Sequence, residues 1–243
     1  MELNTYDKRT ALKYFLRSPS LFFTICQNPS KFYFSKTLEN ILDSNFISCL
    51  HNFLPERFLN HLKEEGFVDH DGVRFILYSI VRAYKPEIVV ETGVAHGVTS
   101  AFMLCAMHEN RKGHLYSIDI PPYDACVENG NAGGKIKMLE DGQKHWINEK
   151  YSVGDFVPEY LKDRWTLILG DAKEELPTLL KKINKISVFF HDSLHTYEHM
   201  MFEYETAWPH ITKSGLLLSH DVVWNKAFLK FSKKVNSKPL IYL

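Results

Sequence analysis

The apolar positions change rhythm along the chain. From about residue 68 onward, short near-continuous apolar runs alternate with stretches whose apolar residues recur every three or four positions. The short runs are "EIVVET", "HLYSIDI", "WTLILGD", "KISVFFHD" and "GLLLSHD", each β-branched or aromatic and each closed by a polar residue. These predict strands. The periodic stretches "HDGVRFILYSIVRAYKP", "TSAFMLCAMHENRK", "AKEELPTLLKKI", "TYEHMMFEYETAWPHI" and "WNKAFLKFSKK" predict helices, with Pro86 breaking the first. Strands apolar on both faces, alternating with helices, imply an α/β fold: a Rossmann-like, doubly wound, mostly parallel sheet. Sheets of this kind bind ligands beyond the carboxyl ends of their strands, so the polar strand ends are where chemistry is sought.

Residues 1–66 lack this rhythm. "SLFFTI" and "KFYFSKTL" interleave aromatics with polar residues, and the segment is expected to act as a lid or a dimer element beside a main domain over 67–243. Between the second and third of the five strands lies a long insertion, 121–164, far beyond the usual connection of about 2–6 residues. It carries Gly133-Gly134 and is expected to gate the site over 121–160.

Composition narrows the function classes. The 243 residues are 45% hydrophobic, enough for a full core. Lys+Arg and Asp+Glu both number 29, so there is no electrostatic footprint for nucleic acid or an anionic membrane. No apolar run approaches the roughly 20 residues of a membrane span. The four cysteines, Cys26, Cys49, Cys105 and Cys126, have no metal or CxxC spacing, as expected of free thiols in a reducing cytoplasm. A homodimer is an open expectation.

The stretch "IVVETGVAHGVTS" ends the first of the five strands. Gly93 and Gly97 permit a sharp turn and close approach of a ligand to backbone, ahead of free N–H groups at the next helix. A dinucleotide site would have GxGxxG, and here the middle glycine is absent. Glu91 before the turn would repel a pyrophosphate and suits a ligand bearing a cation and hydroxyls. Asp119 closes the next strand, where nucleotide-binding sheets place a carboxylate on ribose hydroxyls. Asp171, Asp192 and Asp221 close the three that follow.

In order, "VVETGVAHGVTS", "YSIDI", "LILGDAKEELPTLL" and "VFFHDSLHTYEHMMFEYETAWPHITKSGLLLSHDV" resemble the class I S-adenosylmethionine-dependent methyltransferases. Within them, the chain is similar to small-molecule O-methyltransferases whose fourth-strand motif reads D-G-D-H-S-Y. The resemblance covers residues 68–231. It implies S-adenosylmethionine as cofactor and a seven-stranded sheet finishing in an antiparallel hairpin. The C-terminal "KPLIYL" leaves that hairpin about one strand short, so either the last strand is missing or the N-terminal segment substitutes for it. Glu91, Gly93, Ala95, Gly97 and Ser100 would line its amino-acid and ribose end. Asp119 would hold the ribose, and Asp171 and Ala172 would sit beside the adenine. His191 reads either as part of this lining or as a structural residue; His199 and His210 read as structural or surface residues.

The resemblance also implies a small-molecule acceptor, a sugar or natural product. Asp192 and His195 form a D-x-x-H pair like the metal-plus-base arrangement of macrolide-sugar O-methyltransferases. His195 would be the general base, with Asp192 catalytic beside it. Asp192, His220 and Asp221 would hold a divalent cation, Mg or Mn. Two departures qualify this: Leu194 replaces the second acid of D-G-D-H, and His220 stands where relatives carry an acid. Histidine suits zinc, manganese or iron better than magnesium. Two other readings stay open, a nicotinamide-dependent oxidoreductase on the same sheet and a cofactor-binding descendant without catalysis.

Overall fold

The computed structural model describes residues 23–27, 54–66, 73–120, 152–237 and 239–242. In chain order the elements are β1 (Phe23–Gln27), α1 (Glu56–Glu64), α2 (Val73–Tyr84), β2 (Ile88–Thr92), α3 (Val98–Asn110) and β3 (His114–Asp119). A 3-10 turn (Glu159–Arg164) then leads to β4 (Trp165–Leu169), α4 (Ala172–Ile183), β5 (Ile186–His191), α5 (Tyr197–Ala207), β6 (Ile211–Ser219), α6 (Ala227–Lys234) and β7 (Pro239–Tyr242). The five strands expected from the apolar runs are β2 to β6. Only β6 differs appreciably, starting at Ile211 rather than at the apolar run.

These strands form one seven-stranded sheet in the order β4-β3-β2-β5-β6-β1-β7. The pairs from β4 through β6 are parallel, whereas β1 runs antiparallel to both β6 and β7. Thr24 lies opposite Ser219 on one side and Ile241 on the other. The N-terminal segment therefore supplies the strand that the short C-terminus lacks, the second of the two alternatives above. At these five residues it belongs to the sheet.

Side-chain alternation explains the two covered faces. Val89, Leu115, Val188, Phe190, Leu216 and Leu218 pack with α1, α2 and α3. Val90, Ile118, Phe189 and Leu217 pack with α4, α5 and α6 on the other face. Successive strand residues point to opposite sides, so a strand buried on both faces must be apolar throughout. Helix α3 is buried from Ser100 to Met107, which accounts for an apolar pattern with no clear polar stripe.

The chain reverses direction of growth between β2 and β5, which are neighbours although far apart in sequence. The crevice at their carboxyl ends is the topological switch point. The ladder continues past the strands there, with Gly93 N–H donating to Ile118 O at 2.9 Å, Asp192 N–H to Thr92 O at 2.8 Å and His220 N–H to His191 O at 2.9 Å. The strand-end residues named above are thereby held side by side. Among the described residues no helix is long and apolar enough to cross a membrane.

Candidate functional site

The turn after β2 uses left-handed backbone at Gly93 (φ 85°), Ala95 (φ 49°) and Gly97 (φ 87°). A Cβ on Gly93 would lie 2.1 Å from the carbonyl oxygen of Asp192. On Gly97 it would lie 2.8 Å from the Cα of Gly154. Both glycines are thus demanded by neighbouring backbone as well as by the turn, a requirement the sequence reading assigned to a ligand. The expected lid lies mostly outside the described residues. Its described part runs over this turn, with Gly154 N–H donating to Ala95 O at 3.0 Å and Phe156 N–H to His96 O at 2.9 Å.

Glu91 sits beneath the turn, wholly buried. Its Oε2 accepts hydrogen bonds from Ser100 Oγ at 2.6 Å and Ser117 Oγ at 2.7 Å, and Ser117 Oγ in turn accepts from Trp165 Nε1 at 2.9 Å. Burial outweighs these bonds and pushes the carboxyl up to about 8. The group is therefore largely protonated near neutrality. Its Oε1 is buried with no hydrogen-bond partner.

Asp119 ties the turn to β3. Its Oδ2 accepts from Val94 N at 2.8 Å and Ala95 N at 2.7 Å, and its Oδ1 accepts from Ile120 N at 2.7 Å. A carboxylate offers about four lone-pair sites, so one on Oδ1 is left for a ligand. Asp171 caps α4 by accepting from Lys173 N at 2.8 Å, with Ala172 buried behind it. Between these acids the structure exposes Ile120 and Leu169 (38% and 49%), an apolar pair at two strand ends that sequence reasoning missed. The signal was there: each is a large apolar residue at the very tip of a strand that should bury its apolar side chains.

The far side of the crevice is polar. Asp192 and His195 follow β5, and His220 and Asp221 follow β6; the fold brings all four together. His220 Nδ1 is 3.1 Å from Asp192 Oδ1 and 3.6 Å from Asp221 Oδ2. His195 Nε2 is 3.7 Å from Asp192 Oδ1 and 4.0 Å from Asp221 Oδ2. Burial alone would raise the Asp192 carboxyl, but His220 outweighs it and holds the group below its ordinary value. Burial, aided by the charge of His191, lowers the His195 imidazole to about 4, so this ring is neutral at ordinary pH. Trp224, 62% exposed, stands beside it with ring centroids 5.5 Å apart.

His191 and His199 belong to a second network that sequence reasoning did not assemble. At its centre is Glu203 of α5, fully buried. Its Oε2 accepts from Thr92 Oγ1 and His191 Nδ1, each at 2.6 Å, and its Oε1 accepts from Ser193 Oγ and His199 Nε2, each at 2.8 Å. Burial would raise this carboxyl, but the His191 charge and the histidine hydrogen bonds hold it well below the usual range. Four donors on one buried acid lock the turn that carries Asp192 and His195. His191 is thereby drawn into this network, with its Nε2 buried and unpartnered. His210 lies apart, its Nδ1 2.8 Å from Asn184 O.

A family model described as a methyltransferase domain matches residues 90–222. No curated protein matches the chain significantly. Among solved structures, the chain is similar to the SAH-bound Podospora anserina methyltransferase PaMTH1, at 14% identity over 77% of this chain and 72% of that one, with TM-score 0.48. It is similar to an O-methyltransferase from Bacillus cereus in complex with SAH, at 14% identity over 83% and 77%, with TM-score 0.45. It is also similar to the SAM-bound O-methyltransferase TomG of Streptomyces achromogenes, involved in tomaymycin synthesis, at 12% identity over 76% and 78%, with TM-score 0.49. Likenesses at these identities and scores carry nothing about acceptor or metal.

Proposed function

The chain belongs to the methyltransferase-domain family, and on that premise we propose that it moves the methyl group of S-adenosylmethionine to a hydroxyl oxygen of a small molecule held at the Asp192–His195–His220–Asp221 cluster. The observation that carries this reading is the convergence of those four side chains at the switch point, within about a residue's width of the glycine turn.

The cofactor end fits. Ile120 and Leu169 offer apolar faces for a heteroaromatic base, Asp119 Oδ1 keeps a lone pair for a ribose hydroxyl, and the buried Oε1 of Glu91 remains to be satisfied. The missing middle glycine speaks against a pyrophosphate-binding turn, and so against nicotinamide chemistry. When bound, S-adenosylmethionine supplies an electrophilic methyl group on a sulfonium.

At the acceptor end, His195 takes the hydroxyl proton on Nε2, the nitrogen that faces both carboxylates. The acceptor oxygen then bonds to the methyl carbon as the carbon–sulfur bond breaks, with its electron pair left on sulfur. Asp192 and Asp221 steady the imidazolium that forms. The acceptor is a hydroxylated sugar or natural product in this reading, and the balance of 29 basic and 29 acidic residues supports a small, non-polyanionic partner. Magnesium does not fit the cluster, because two of four donors are imidazoles and that ion takes oxygens; no step here passes through it.

Incubation with methyl-labelled cofactor and a panel of hydroxylated sugars and phenols tests the reading. Label should appear as a methyl ether, and His195→Ala should lower the rate by roughly 10²–10⁴-fold. A fully active His195→Ala would remove the base from this account.

A further inference from the structure

Among the described residues five large apolar side chains are exposed: Ile120, Leu169, Val223, Trp224 and Leu229. The base of the cofactor accounts for the first two. Val223 and Trp224 are consecutive, 48% and 62% exposed, in the segment between β6 and α6. Tryptophan carries a large apolar surface and is highly buried on average. One left this open beside the proton-accepting cluster points to a ligand that covers it.

The exposure is not looseness. Trp224 N–H donates to Asp221 O at 3.2 Å, and Val222 before it is buried. Asn225 after it donates from Nδ2 to His195 O at 3.0 Å and to Met200 Sδ at 3.1 Å, while its Oδ1 accepts from Ala227 N at 2.8 Å. The indole is thus carried on a segment tied to the residue that takes the proton. Its ring lies beside the His195 ring, with centroids 5.5 Å apart and planes tilted by 48°. A platform held in this way loses little freedom when a ligand lands on it.

We propose that Trp224 selects the acceptor: its indole stacks on the apolar face of a cyclic polyol, a sugar ring or cyclitol, and so brings a rim hydroxyl to His195.

The two kinds of wall decide the class. Trp224 offers an apolar face, whereas Asp192, His220 and Asp221 offer carboxylates and an imidazole. A cyclic polyol matches both, since its ring C–H groups form an apolar face and its hydroxyls a hydrogen-bonding rim. A phenol matches only the first. Most of its rim is C–H, which would strip water from Asp192 and Asp221 without replacing the hydrogen bonds. An open-chain polyol has the hydroxyls but no preformed face. The inference deepens the proposed function and rests on it for where the reacting hydroxyl sits.

The test follows the indole N–H resonance of Trp224, assigned by its loss in Trp224→Phe, in the full chain with and without saturating SAH. Methyl α-glucopyranoside and myo-inositol are the ring probes, and sorbitol and phenol are the controls. The expected result is a saturable shift with at least one ring probe in the millimolar range. Which of the two responds distinguishes a sugar from a cyclitol. Sorbitol and phenol at the same concentrations should leave the resonance in place. Read through the His195 imidazole resonances, ring-probe affinity should fall about 5-fold or more in Trp224→Ala and recover in part in Trp224→Phe, with Leu229→Ala matching the parent. An indole silent to both ring probes, sorbitol or phenol bound as tightly as the better ring probe, or Trp224→Ala binding that probe like the parent would each overturn the proposal. A second copy of the chain seated on Trp224 would appear as a dimer that dissociates in Trp224→Ala while the indole ignores both probes, and it too would overturn the proposal. SAH affinity on the same samples reports on the methyltransferase reading separately: ring probes bound where SAH is not would leave Trp224 in its role and defeat that reading.

Discussion

Glu91 shows what a single residue's position does to its chemistry. In an extended chain its carboxyl is an anion at neutral pH, which is why the sequence suggested a partner for a cationic ligand. In the fold it is sealed beneath the glycine turn and pushed up to about 8. The folded state thus keeps a proton that the unfolded state releases above about 4.5, its ordinary value. The contribution to stability is fully present below that lower value and is lost as pH rises through 8. Glu91→Gln keeps acceptors for Ser100 and Ser117 and removes the titration. Relative to the parent, it should therefore gain stability between about pH 5 and pH 8.5, on the order of a few kcal/mol at about 1.4 kcal/mol per unit. Denaturant unfolding at both pH values measures this, and parallel pH profiles for the two proteins would contradict it. The identity of the strand-end acids was legible in the sequence. The burial of Glu91 was not, because it depends on Ser117 and Trp165 arriving from elsewhere in the chain.

At the scale of the element, the glycine turn is where local sequence and remote packing meet. Gly93 has φ 85° and a Cβ there would overlap the Asp192 carbonyl at 2.1 Å, whereas Gly66 has φ 65° and nothing within 4 Å. Gly66→Ala should cost about 1–2 kcal/mol for the left-handed backbone alone. Gly93→Ala adds a collision with the β5 exit and should cost well beyond that, about 4 kcal/mol or more. Equal unfolding free energies for the two variants would show that the β2 and β5 tips are not packed as described. The turn could be read from two glycines and a following helix. The collision could not, since it joins residues a hundred positions apart. The Glu203 network was hidden for the same reason: its glutamate lies inside the helical pattern "TYEHMMFEYETAW", where a charged residue ordinarily faces water.

For the whole molecule, the strands from β2 to β6 were legible because each is covered on both faces and must be apolar along its length. β1 was not. It reads as part of an aromatic, irregular segment, and only pairing with β6 and β7 makes it a strand. Information of that kind is non-local and leaves no period in the sequence. Removing residues 1–30 should expose an edge of β6 and free β7, giving a melting temperature lower by at least about 5 °C and a tendency to associate. A truncated chain that stays monodisperse and melts with the parent would remove β1 from the sheet.

Calorimetric titration with SAH tests whether the crevice at the tips of β2, β3 and β4 is the S-adenosylmethionine site that we propose. Asp119 is the discriminating residue, since its carboxylate braces the turn through Val94 and Ala95 and keeps an acceptor position on Oδ1 beyond its bond from Ile120 N. The expected result is one SAH per chain, no comparable binding of NAD, and an affinity roughly 10-fold or more lower in Asp119→Ala, the scale of a hydrogen bond to a charged group. SAH bound equally well by the parent and by Asp119→Ala, or not bound by the parent at all, would contradict it.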